Sequence, residues 1–188
     1  MKNILFTLAL LISFISFGQS EYRLGNYIKI TKNNIQFRYK TPLAPFQKTE
    51  DSFSSQGNIN LVTSFITSTK NNVVVLQMYA TPIPDKFNID WEMMTSSEKQ
   101  SKAFLNAFLG ASANTLMKIS KHEVKTINEK TFLEVKSTIT ASGVTQNQIN
   151  WITVYKNNFI NILGSTLSDF FDENLFLFKN FSNSILIK

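Results

Sequence analysis

His122 is the only histidine in this chain of 188 residues, and there is no cysteine. A Ser-His-Asp triad or a histidine metal site would therefore have to be built on His122. Its neighbours, Ser120-Lys121-His122-Glu123, offer nothing at ligand or triad spacing, so the sequence predicts an exposed strand histidine. The missing cysteines exclude a disulfide framework, a thiol nucleophile, a thiolate metal site and lipoprotein acylation. Two acidic groups remain. Asp85, Asp90 and Glu92 have the residue types of a glycosidase pair, but they lie in a Pro-containing loop that reads as solvated. Asp169, Asp172 and Glu173 lack the Gly-containing oxygen-rich loop of a calcium site and suit the start of a helix. Gly110 and Gly143 are isolated, so no phosphate-cradling loop is present. Trp91, in the loop Thr81 to Trp91, is the one aromatic with a binding look, and its size favours covering a core edge. The sequence thus assigns no catalytic residue, no metal ligand and no cofactor, and leaves any binding residue unassigned.

The elements that would position these residues are mostly strands. Gln148 to Ser165 reads as a β-hairpin about Asn157-Asn158, because Asn tolerates the positive φ of a two-residue turn. That turn places Trp151 opposite Gly164, Thr153 opposite Ile162 and Tyr155 opposite Ile160, with Gly164 making room for the indole. The other face pairs Ile152 with Leu163 and Val154 with Asn161. Both faces are apolar, as they are in Val73 to Ala80, so something must cover each side. Further strands are expected at Tyr27–Ile30, Ile35–Tyr39, Ile59–Thr67, Ile119–Ile127 and Thr131–Thr140. Lys-Asn-Asn occurs at 32, 70 and 156, each time as turn chemistry. Residues 47–58 read as an exposed loop.

Thr95-Ser96-Ser97-Glu98 matches a capping box and predicts a helix to about Ala113, with Ala103, Phe104, Ala107, Phe108 and Ala111 as its buried stripe. A last helix is expected from Thr166 or Ser168, burying Phe171, Leu175, Phe178 and Ile185 with Phe181 alongside. The fold class that follows is α+β: an α/β/α sandwich with a largely antiparallel sheet and two main helices.

Residues 1–20 carry Lys2 and then an apolar run from Ile4 to Phe17, ending in small residues at Ser16, Gly18 and Ser20. The run is shorter than the about 20 residues of a membrane span, so it reads as a secretory signal peptide. The expected organisation is a signal peptide over 1–20 and one α+β domain over 21–188, with no membrane span after processing. The formal charge is +6, and the Lys and Arg residues show no run of four, so they read as dispersed over a solvated surface. No nucleic-acid footprint is expected. The abundance of Lys, Asn, Ile and Phe is that of AT-rich bacterial genomes.

Ile35-Gln36-Phe37-Arg38-Tyr39 before Pro42, the helix Ser97 to Ala111, the hairpin about Asn128-Glu129-Lys130, the meander to Leu163 and the ending Phe181-Ser182-Asn183-Ser184-Ile185 form a familiar order. The chain resembles the PsbP-like superfamily, which takes in the PsbP subunit of photosystem II, Ran-release factors and periplasmic DcrB-type proteins. Phe46 stands where members usually carry Trp, and Asn128 where Gly is common. The resemblance implies a non-enzymatic binding or accessory protein whose partner is another protein, and the signal peptide adds the expectation that it is exported, periplasmic or secreted. The alternative is a secreted small-ligand carrier or hydrolase on a cone-shaped α+β sheet. Homodimerisation through the second covered sheet face is a further possibility.

Overall fold

The structure is a computed structural model that describes residues 23–48, 61–87, 89–111 and 117–188, with the side chains of 108–111 left out. The expected signal peptide over 1–20, most of the loop over 47–58 and the placement of Phe108 and Ala111 lie outside the described residues.

Among the described residues, ten strands and three helices follow the expected order of strands, helix, antiparallel meander and helix, with short strands at Gln47–Lys48 and Leu186–Ile187 and a short helix at Trp91–Thr95 that the sequence did not predict. Strands β1 (Leu24–Lys32), β2 (Ile35–Pro42) and β10 (Leu186–Ile187) form a three-stranded antiparallel sheet ordered β1-β2-β10. The larger sheet holds β3 (Gln47–Lys48), β4 (Leu61–Ser68), β5 (Val73–Pro82), β6 (Met117–Ile127), β7 (Lys130–Ala141), β8 (Val144–Tyr155) and β9 (Asn158–Leu167), in the order β3-β4-β5-β9-β8-β7-β6. The helices are α1 (Trp91–Thr95), α2 (Glu98–Ala111) and α3 (Phe171–Asn183), the last entered through a 3-10 turn at Ser168–Phe170. The protein is an α+β fold with a largely antiparallel sheet.

Two-residue turns set the registers. Asn33 and Asn34, Asn128 and Glu129, Ser142 and Gly143, and Lys156 and Asn157 all have positive φ, as primed hairpin turns require. In the central hairpin the turn is one residue earlier than expected. Trp151 therefore faces Ile162, Thr153 faces Ile160 and Tyr155 faces Asn158. The slip moves each partner by two residues, so every side chain keeps its face. Asn158 becomes a strand residue whose amide donates to the Lys156 carbonyl (2.7 Å) and whose Oδ1 accepts from Asn33 (3.2 Å). Gly164 now lies opposite Ile149, not Trp151, and its role changes. A Cβ there would come within 2.5 Å of the Phe178 ring, so the missing side chain lets α3 lie against the sheet.

That contact belongs to the main core. Val74, Leu76, Met78, Ile149, Trp151, Ile160 and Ile162 line one face of the large sheet, under Phe178 and Phe181 of α3 and under Ile35, Phe37 and Tyr39 of β2. Tyr39, Phe65 and Phe181 meet edge to face at 6.1–6.3 Å. The opposite face carries a smaller cluster of Leu133, Val135 and Ile152 beneath Trp91 and Leu105. Central strands 7 and 8 are thus covered on both sides. On β5 the second face is covered less: Val73 is 38% exposed, and Val75 and Tyr79 are half-buried.

Three helix expectations need correction. Asp90 caps α1, its Oδ1 accepting from Met93 N–H at 2.9 Å, and Ser97 rather than Thr95 receives the Gln100 N–H (3.3 Å) to start α2. Thr95 turns its hydroxyl back to the Trp91 carbonyl (2.8 Å). On α2, Ala103 and Ala107 are exposed, while Ser101 and Leu105 are buried and Phe104 half-buried. On α3, Phe171, Phe178 and Phe181 are buried as expected, but Asn174, Leu177 and Ser182 complete the stripe and Leu175 is half-buried. Strand β9 runs through Thr166 to Leu167, so of the two expected starts the later one, Ser168, opens the helical segment as a 3-10 turn.

Candidate functional site

The residues singled out for chemistry are dispersed. His122 sits on β6 opposite Val135; it is half-buried rather than exposed, and its Nε2 has no partner. It lines an open groove of about 620 Å³ with Glu98, Lys102 and Asn106 of α2. Among the described residues, no three His, Asp or Glu side chains cluster closely enough to hold a metal ion. Asp90 is engaged as a helix cap, Asp85 and Glu92 are exposed, and Asp172 and Glu173 lie in the first turn of α3. Gly143 occupies a turn at φ 78° and Gly110 lies within α2. Trp91 is buried, donates its Nε1–H to the Thr131 carbonyl (3.0 Å) and meets Phe104 edge to face at 5.5 Å. It closes the smaller core cluster.

Two groups of charged residues that the sequence did not flag come together instead. The first is on β6 and β7. Glu134 is 3% exposed, accepts from the Trp151 indole N–H at 2.8 Å and lies 3.5 Å from Lys125. Glu123 stands directly across the strand from Glu134 and binds Lys125 at 3.0 Å, with Lys121 at 3.7 Å. The Lys125 hydrogen bond holds the Glu123 carboxyl below the usual carboxylate range, and the same bond raises Lys125. This group is closed on itself.

The second is the outer face of the three-stranded sheet. Strand β2 alternates strictly: Ile35, Phe37 and Tyr39 enter the core, so Gln36, Arg38 and Lys40 face away from it. The Asn33-Asn34 turn pairs Lys29 with Arg38 and Tyr27 with Lys40, and Leu186 of β10 flanks Arg38 on the other side. Arg38 lies 4.5 Å over the Tyr27 ring and Lys40 5.4 Å from it. Lys29, Arg38, Tyr27, Gln36 and Lys188 border a groove of about 350 Å³. Tyr27 and Lys40 continue into a second groove of about 530 Å³, across from Phe176 and Asn180 of α3. Phe176 is 73% exposed. No acidic side chain lines either groove among the described residues.

The expectation of dispersed charge is thus overturned for this face. Residues 29, 38 and 40 are far from a run in sequence, yet the hairpin register gathers them. The signal was present: a two-residue turn at Asn33-Asn34, carried through as a register, puts Lys29 opposite Arg38. Phe176 had no such signal, since only the docking of α3 shows which ring is left outside.

The class this architecture defines is the PsbP-like fold. No family model matches the sequence, and no curated protein matches it. Among solved structures, the chain is similar to cyanobacterial PsbP from Synechocystis, with TM-score 0.57 and 12% identity over 90% of this chain and 96% of that one. It is also similar to PA94, a protein of unknown function from Pseudomonas aeruginosa, with TM-score 0.50 and 8% identity over 86% and 97%. LpqN, involved in cell envelope biogenesis of Mycobacterium tuberculosis, aligns with TM-score 0.43 and 14% identity over 83% and 92%. The likeness to PsbP and PA94 is one of fold. Among the described residues, no helix is long and apolar enough to cross a membrane.

Proposed function

We propose that this chain is an exported, non-enzymatic accessory protein that docks on another protein through the outer face of its three-stranded sheet. The observation that carries this reading is the Lys29–Arg38 cross-strand pair, set beside Lys40 and Tyr27, with no acidic side chain among the described residues in the grooves around it. Like charges directly opposite one another destabilise a sheet. A partner's carboxylates would remove that repulsion, and the exposed Tyr27 and Phe176 rings supply the aromatic contact that interface centres favour. The signal-like residues 1–20 support export, and the fold shared with PsbP supports an accessory role. The carrier or hydrolase alternative would use the groove beside His122, which opens to solvent between α2 and β6.

Affinity capture from the producing cell's envelope fraction tests the docking reading. The wild-type chain should retain a protein that moderate salt releases. The Lys29→Glu/Lys40→Glu variant, with thermal stability no lower than wild type, should lose it. Equal retention by the variant would remove this face from the function.

A further inference from the structure

We propose that the partner docks as an extended acidic segment that adds a fourth strand to the outer edge of β1; this rests on the docking face assigned above. Among the described residues β1 is an edge strand, since the sheet order is β1-β2-β10. Its inward side chains are incompletely covered. Leu24, Ile28 and Ile30 are half-buried, whereas Ile35, Phe37 and Tyr39 on β2 are at 0% exposure. One more strand would complete that cover. Its alternate residues would then fall on the outward face, beside Lys29 and within reach of Arg38. The occupant therefore alternates: apolar side chains against Ile28 and Ile30, acidic ones against the cations. The register irregularity between Leu24 and Tyr27 confines regular pairing to 27–32, or about 20 Å of strand.

The other edges do not offer this. Strand β6 borders the large sheet, but its Lys121, Glu123 and Lys125 are already paired with one another and its ladder is interrupted between Ile119 and Lys121. Strand β3, at the other edge of the large sheet, and strand β10 have two residues each. A second copy of β1 would set Lys29 near Lys29. A flat anionic membrane would meet the cations but leave Ile28 and Ile30, on the inward side, unchanged. Asp172 and Glu173, one turn before the exposed Phe176, also oppose bilayer docking.

The test uses the purified chain and three nonapeptides: alternating Glu and Val, a scrambled isomer, and the alternating peptide N-methylated at its interior amides. Strand addition predicts that scrambling or N-methylation weakens binding by about tenfold or more, which is about 1.4 kcal/mol. It also predicts that amide hydrogen exchange slows across 27–32, and that Lys29→Glu weakens the alternating peptide comparably. If all three peptides bind alike, the cations act as a patch, and strand addition falls while the docking face stands. If no acidic peptide binds and anionic phosphatidylglycerol vesicles do, both readings fall. If amides 27–32 are protected in a concentration-dependent way without peptide, the occupant is a second copy and the proposal is overturned.

Discussion

Both sheets place two like charges directly across from each other, and they treat the pair in opposite ways. In the large sheet Glu123 faces Glu134, and Lys125 lies between them at 3.0 and 3.5 Å. The Trp151 indole fills a further acceptor site on Glu134. In the small sheet Lys29 faces Arg38, and what lies nearby is an aromatic ring and another cation. Burial explains the difference. A carboxylate at 3% exposure has lost its water and must find its counter-charge within the chain. Lys29 and Arg38 are exposed and keep theirs, so their mutual repulsion is small enough for the fold to carry. The first arrangement stabilises the protein. The second is a small local cost, which the proposed docking would turn into a gain.

Substitutions sharpen that contrast, and the largest effect belongs to the buried group. Lys125→Met leaves Glu123 and Glu134 facing each other without the cation between them and should cost about 2–3 kcal/mol in urea unfolding, the exposure of Lys125 and Glu123 keeping the loss below that of a wholly buried pair. Adding Glu134→Gln should restore most of it, because a neutral amide oxygen still accepts from Trp151. If the double variant is no better than the single, the two carboxylates are not what Lys125 serves.

Trp151→Phe keeps a ring in the core but removes the indole donor, and should cost about 1–3 kcal/mol by the same measurement. A loss no greater than that of other conservative core changes would mean that Lys125 alone holds Glu134.

The pH dependence of the Lys125→Met effect has a defined sign. Glu123 is depressed, so its contribution is complete above the ordinary carboxylate range and is lost as pH falls through its lowered value. Lys125 is raised, so its contribution is complete below the ordinary lysine value and is lost as pH rises through its raised one. The gap between wild type and Lys125→Met should be widest between about pH 5 and 10 and close on both sides. Urea midpoints taken inside that window and beyond both of its ends measure it, and a gap that stays the same at the extremes would show a packing effect.

The smallest effect lies on the open face and has the opposite direction. Lys29→Glu turns a repulsive cross-strand pair into an attractive one and should stabilise the fold by less than about 1 kcal/mol. It should weaken docking at the same time. Thermal unfolding and the capture experiment read the two effects separately. A variant that is less stable would mean that Lys29 already has a stabilising contact in the free chain.

Much of the fold was legible because it depends on local rules. The apolar alternation of Ile35-Gln36-Phe37-Arg38-Tyr39, the Asn-containing turns and the two-faced strands 73–80 and 151–155 gave the α+β class and strand order. The errors came where more than one local rule competed. Lys-Asn-Asn turns on Asn33-Asn34 at its first site but on Lys156-Asn157 at its last, because Asn158 is drawn into β9 by its bond with Asn33. Thr95 matches a capping box, yet Asp90 starts α1 earlier and Ser97 caps α2. The stripe on α2 was misplaced because its packing beside Trp91 and against the large sheet, not the spacing within the helix, selects the buried face.

By itself, the sequence determined most of the longer strands, the approximate places where the chain reverses and that both flanks of the central strands are apolar. Each of these follows from steric and hydrophobic preferences acting over a few residues. What only the tertiary structure decided is which charges meet. Glu134 finds Trp151 and Lys125, Lys29 finds Arg38, and Phe176 stays outside, because such encounters depend on register and on the seat of α3, both of which are set by packing across the whole chain.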